Sequence, residues 1–343
     1  MLRWYRPDLV HEVTLRTIDG RWWFDAGNPT MRSEILGALA AAQRRTGVRI
    51  HAFTVMSNHY HALYSFDHPE QFAAFLCHFH AALARIANRY WQRRGRVWDG
   101  RAVVIPVAGD PESQLQRLEY LLGQNVKTGA GAHPRDWPGA CATPWLLEGT
   151  PLVGSHRDQT AIALASRNGH DAGDVANYCE DVTVAMTPLP CFAGRPDHEW
   201  REQVRELADA VAERHGAVPT EAGACDRECS QATNRVDAGR FGDVPSELSE
   251  QAEQARTSAS PQTRAVKLAH AAHTADRLKL AEDRRKFEQE FRDCARQLLA
   301  ESRLAAQGKL ARLVEFPAWS FPPRQPSCPR WSNREAKPYN FSE

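Results

Sequence analysis

Apolar and β-branched residues crowd Leu9–Arg16, which predicts a strand ending before an Asp-Gly turn at Asp19-Gly20. Thr30–Arg45 places Ile35, Leu36, Leu39 and Ala40 on one face at the helical period. His51–Met56 and His59–Phe66 read as two short strands joined through the turn residues Ser57-Asn58. Pro69–Gln92 is a predicted helix, opened by Asp67 and Pro69, with Phe72, Phe75, Leu76, Phe79, Leu83 and Ile86 as its apolar stripe. Arg101–Val107 is strand-like. Asp110-Pro111-Glu112 starts a helix that runs to about Thr128, where Gly129 supplies the stop.

The order strand, helix, two strands, helix, strand, helix predicts an α+β fold, with helices packed on an antiparallel sheet. Near Pro144–Gly154 the periodicity weakens. Breaks at Pro188, Pro190, Pro196, Gly216, Pro219 and Gly223 follow, around one acidic helix candidate at Glu199–Arg214. Ser246–Ser260 reads as a polar linker, and a charge-laced helical pattern runs from Gln262 to Leu313 before an aromatic-Pro tail at Phe316–Pro323. The expected organisation is therefore a first α+β domain at 1–150, an acidic linker or accessory region at 151–260, and a basic, mainly helical extension at 261–343.

Composition changes this picture only through charge. The 343 residues carry a net charge of +1, distributed as +4 over 1–150, −9 over 151–260 and +6 over 261–343. Two basic blocks around an acidic middle hint at a polyanionic partner, although a basic block is also an ordinary solvated face. No apolar run approaches the roughly 18–20 residues of a membrane span, and Met1–Pro7 lacks the apolar core of a signal peptide. A soluble, unexported, cytoplasmic and nucleoid-associated protein is expected. The eight cysteines are scattered. Cys225 and Cys229 are the one close pair, without a second pair at zinc-finger spacing.

The candidate chemistry starts at Met56-Ser57-Asn58-His59-Tyr60-His61. On a strand, residues two apart share a face, so His59 and His61 present two imidazoles side by side while Tyr60 points the other way. The bland alternative is two sheet-surface histidines. His78-Phe79-His80 has the same spacing on a helix, where two residues span about 200° and the rings diverge. On the helix after Asp110, Tyr120 and Gln124 are four apart and share a face. If that face looks onto the histidine strand, a phenol and an amide oxygen reach the same point. Two imidazoles and a neutral amide would leave a divalent ion's charge uncancelled, which suits polarising a phosphodiester. A tyrosine on an amphipathic helix is otherwise ordinary packing.

Met56–His61 resembles the HUH motif of the single-tyrosine transposases, in particular the REP-associated tyrosine transposases, where the run is commonly Met-Pro-Asn-His-x-His. Gly95–Arg101 (GRVWDGR) is similar to their Gly-x-x-Phe/Trp-x-x-Arg segment. Tyr120–Gly129 (YLLGQNVKTG) is similar to their Tyr-Ile-x-x-Asn-Pro-Val-x-x-Gly stretch, and Asp136-Trp137-Pro138 falls at a similar aromatic-Pro step. The resemblance covers about residues 1–150. Ser57 and Asn125 stand where the family has Pro. The resemblance implies a ferredoxin-like (RRM-like) sheet, Tyr120 as nucleophile, and His59, His61 and Gln124 as ligands of Mg²⁺ or Mn²⁺. Imidazole ligands would tilt that choice toward Mn²⁺. It also implies cleavage and rejoining of single-stranded or hairpin DNA through a 5′-phosphotyrosine with a free 3′-OH.

Arg85, Arg89, Arg93, Arg94, Arg96 and Arg101 cluster with Tyr90, Trp91 and Trp98, the mix of cations and rings that a single strand needs. A solvated helix end beside a core Trp is the competing reading. Other classes stay open: a non-cleaving single-stranded nucleic-acid-binding protein on the same scaffold, and an HUH replication initiator or relaxase. No membrane partner is expected, and a homodimer and a monomer are equally compatible with the sequence.

Overall fold

A computed structural model describes residues 4–167, 175–215, 269–307, 312–318 and 320–321. The Cys225/Cys229 pair, the 246–260 linker, the first residues of the predicted C-terminal helix and the tail beyond 321 lie outside the described residues. The chain divides into two compact units: Pro7–Arg277, and Met1–Arg6 together with Leu278–Glu343.

Four strands form the sheet of the larger unit: β1 (Val10–Arg16), β2 (Arg49–Val55), β3 (His59–Ser65) and β4 (Val103–Val107). Their order is β2-β3-β1-β4, antiparallel throughout. With α1 (Pro29–Thr46) after β1 and α2 (Pro69–Tyr90) after β3, this is the ferredoxin-like βαββαβ arrangement. α1 starts where the Asn28 side chain accepts from Met31 N with Pro29 following. It stops at Gly47, whose φ of 70° a side chain would disfavour.

Alternation along β3 sorts its residues between two layers. Tyr60 and Tyr64 are fully buried, Tyr60 against Phe79 and Tyr64 against Phe72 and Phe75 of α2. His59 and His61 take the opposite face with their cross-strand partners Arg16 and Thr14 on β1. Over that face runs α3 (Pro111–Leu122), capped by Asp110, whose carboxylate accepts from Ser113 N. The predicted helix to Thr128 is divided at Gly123 into α3 and a short α4 (Gln124–Lys127), and Gly129, at φ 70°, ends it as expected.

Packing does not stop near residue 150. After α5 (Thr143–Glu148), the hairpin of β5 (Val153–Arg157) and β6 (Cys179–Thr183) lies on α1, with α6 (Gln159–Arg167) between its strands. α7 (Asp197–His215) packs on α3 and α5. Residues 151–167 and 175–215 therefore belong to the same unit as residues 7–150. So do residues 269–277, the described start of the basic block at 261–343.

The smaller unit is built on α8 (Thr274–Ala306), all of which from Leu278 onward falls in it. Trp4 packs near Phe287, Tyr5 meets Phe321 edge-on, and Phe291 lies against Phe316. Along the helix, buried Arg284 and exposed Arg292 both pair with Glu288. No helix of the described residues is long and apolar enough to cross a membrane.

Candidate functional site

The structure brings His59, His61, Tyr120 and Gln124 together. The His59 and His61 rings lie edge to face with centroids 5.1 Å apart, and the Tyr120 ring stands edge-on to His61 at 5.5 Å. Gln124 Nε2 donates to the Tyr120 carbonyl at 2.7 Å, and the Gln124 side chain also hydrogen-bonds to His59.

Both imidazoles are fixed through Nδ1. Asn58 Nδ2 donates to Gly20 O at 3.1 Å, which leaves Asn58 Oδ1 as an acceptor; it lies 2.6 Å from His59 Nδ1. His61 Nδ1 lies 2.9 Å from Thr14 Oγ1 and 3.3 Å from a carboxylate oxygen of Glu12. A carboxylate only accepts, so Nδ1 carries the hydrogen in each ring and Nε2 keeps its lone pair. Burial, with His61 and Arg16 alongside, holds the His59 imidazole down at about 3 against the upward pull of Gln124. His59 is therefore neutral at physiological pH.

Tyr120 sits between two cations. Arg117 Cζ and Lys127 Nζ each lie 4.5 Å from its ring centroid, and each favours negative charge developing on the phenol. Gly123 makes room for this: a Cβ there would meet Lys127 Cε at 3.1 Å. Burial and the charges of Arg117 and Arg214 lower the Lys127 amine from its ordinary value, against a smaller upward pull from Glu119.

Glu12, Arg117, Lys127 and His270 were not found from sequence. Glu12 is buried on β1 beneath His61 and pairs with Arg117 at 3.2 Å and His270 at 2.8 Å. Burial alone would push its carboxyl up. Hydrogen bonds from His270 and His61 and the charge of Arg117 instead hold it well below the usual carboxylate range. An acid two residues before Thr14 on β1, and an arginine three residues before Tyr120, were available signals. For His270 there was none, since its partner Arg117 lies 153 residues away.

The basic cluster is only partly available for DNA. The segment 93–101 joins the His59 end of the sheet, where Thr17 bridges Trp98 and Asp99 N donates to Arg16 O. Arg89, however, is paired with Glu34, and Arg93 stacks on Trp23 at 4.1 Å. Trp98 is half-buried, packing near Phe24 and His80 with its Nε1 donating to His80 O. Arg85, Arg94, Arg96 and Arg101 are exposed. His80 bonds to Tyr60 in the opposite layer, and the His78/His80 pair stays apart from the site.

Among the described residues no cluster of three or more His, Cys, Asp or Glu is arranged to hold a metal ion. The donors that fit a divalent cation are the two Nε2 lone pairs of His59 and His61 with the Gln124 amide beside them, a nitrogen-rich and neutral set.

No family model matches the chain, and no curated protein matches it. Among solved structures, a REP-associated tyrosine transposase bound to a REP hairpin is similar over 41% of this chain and 81% of its own, at 15% identity and a TM-score of 0.29. A likeness at that score carries no argument about activity.

Proposed function

We propose that this protein cleaves and rejoins single-stranded or hairpin DNA, as a transposase-type strand transferase with Tyr120 as its nucleophile. The observation that carries the reading is the Tyr120 ring, on a helix, standing against His61, the neighbour of His59 on the sheet. The motif resemblance of residues 56–61 and 120–129 supports the same roles.

In the proposed reaction the Tyr120 oxygen bonds to phosphorus and the bond from phosphorus to the 3′ oxygen breaks. The phenolic proton is lost and the departing 3′ oxygen gains one. The product is a 5′-phosphotyrosine and a free 3′-OH, and attack by a 3′-OH reverses the step without a nucleotide cofactor. Arg117 and Lys127 counter the charge that develops on the phenol, while exposed Arg94, Arg96 and Arg101 hold the strand through its phosphates. His59, His61 and Gln124 would hold Mg²⁺ or Mn²⁺, which supplies Lewis-acid polarisation of the scissile phosphate.

The test is a single-stranded hairpin incubated with the protein and Mn²⁺ and resolved on a denaturing gel. A covalent protein–DNA band that disappears in Tyr120→Phe, with DNA binding retained, supports the reading. Binding without any adduct would make the protein a non-cleaving nucleic-acid-binding one. An adduct that survives in Tyr120→Phe but is lost in Tyr90→Phe would move the nucleophile.

A further inference from the structure

Glu12 is the point where the site meets a distant part of the chain. Its side chain is only 7% exposed, and a carboxylate so buried is costly unless every lone pair is met. One oxygen faces His61 Nδ1; the other takes Arg117 Nη1 and His270 Nε2. Arg117 Nη1 also lies 3.2 Å from His270 Nδ1. A guanidinium only donates, so His270 Nδ1 accepts and its Nε2 carries the hydrogen given to Glu12. The arrangement admits one tautomer at His270 and one at His61.

His270 is held there by backbone. Its N–H donates to Pro106 O at 2.9 Å and its carbonyl accepts from Ala108 N at 2.8 Å, extending the edge of β4 in parallel. Ala272 N donates to Ser113 Oγ at 2.7 Å, in the first turn of α3. This short segment thus fastens β4 to the helix that carries Tyr120. At its centre it completes a hub whose members touch both His61 and, through Arg117, the Tyr120 ring.

We infer that His270 is a positioning residue for the His59/His61/Tyr120 site, acting through Glu12 and Arg117; the inference rests on the reading of that site given above. Without His270, one Glu12 oxygen is short of a donor and Arg117 loses the acceptor that holds its guanidinium between Glu12 and the tyrosine. The expected consequences are an imidazole at His61 that exchanges between tautomers and a guanidinium that no longer stays over the Tyr120 ring.

The experiment compares the full chain with His270→Ala and His270→Gln, the glutamine offering one donor and one acceptor. If the alanine protein fails to fold by circular dichroism, His270→Phe keeps the ring's bulk without either group. Three readouts apply at one fixed pH. The ¹⁵N imidazole spectrum of His61 in metal-free protein should show the Nδ1–H tautomer in the native chain and a mixture in His270→Ala. Mn²⁺ affinity by electron paramagnetic resonance should fall at least tenfold. The adduct-forming kcat should fall with little change in KM, and His270→Gln should restore all three. A His270→Ala protein with native His61 tautomer and native Mn²⁺ affinity overturns the inference, whatever its activity. If the native chain forms no adduct, the proposed function fails, and the His61 spectrum alone still decides whether His270 positions it.

Discussion

His59 and His78 each begin a His-x-His run, and what separates them is the element underneath. On β3 the two rings share a face and meet at 5.1 Å; on α2 His80 is turned into the layer behind the sheet. That distinction was legible in sequence because strand and helix periods differ. So was the facing of Tyr120 and Gln124, four residues apart. Of the partners that anchor these groups, Glu12 left a signal in its place on β1, whereas His270 was not legible, because it reaches them by tertiary pairing. Replacing both His59 and His61 with Ala is expected to abolish Mn²⁺-dependent adduct formation while leaving the far-ultraviolet circular dichroism unchanged. Lys127→Met, which removes the cation while keeping the stem, should slow adduct formation at least several-fold. A single-turnover time course would show it. His51 offers a different test, of stability. It is 1% exposed, bonded to Ser65 and to the carbonyls of Thr187 and Pro188. Burial lowers its imidazole to about 4, against the pull of those carbonyls and with a smaller push from Arg49. Between the ordinary value near 6.5 and about 4, the unfolded chain binds a proton that the folded chain refuses. Its contribution is full above that window and drops by about 3 kcal/mol as pH falls through it. Thermal melts from pH 7 to 4 should show this slope, and His51→Gln should flatten it.

At the scale of elements, the sheet and its two helices follow the hydrophobic pattern closely, whereas β5 and β6 do not announce themselves. Their segments, VGSHR and CEDVT, are polar, β6 is mostly exposed, and each is only five residues long. What fixes them is close backbone contact with α1, which periodicity does not encode. A Cβ added at Gly37 would fall 2.2 Å from Ser155 O, and one at Gly154 would fall 2.3 Å from Gly37 N. Backbone cannot yield as a side-chain tip can. Gly37→Ala and Gly154→Ala are therefore each expected to destabilise the fold by about 1–3 kcal/mol. Chemical denaturation would measure it, and a loss too small to detect would mean that α1 and the hairpin separate easily. The division of the predicted third helix at Gly123 was equally silent in sequence, since glycine inside a helical pattern is often tolerated.

For the whole molecule, the charge blocks located the basic regions but not the boundaries of packing. The acidic middle contributes α7 to the cover of α3, and residues 269–277 return to the first unit. If DNA is held through phosphates beside the His59 end, binding should weaken linearly with log salt concentration. Replacing Arg94, Arg96 and Arg101 together with Ala should make that slope shallower for every sequence tried. Titrations at several salt concentrations would test it, and an unchanged slope would place the strand elsewhere. The return of His270 to β4 also sets an order in time. A ribosome completes His59, His61 and Tyr120 well before it reaches residue 270, and at roughly 5–20 residues per second those 150 residues take on the order of ten seconds. During that interval the nascent chain holds a tyrosine and two histidines beside a carboxylate still missing a donor. On the proposed reading, the Tyr120 site is therefore made without its His270 contact until most of the chain has been synthesised.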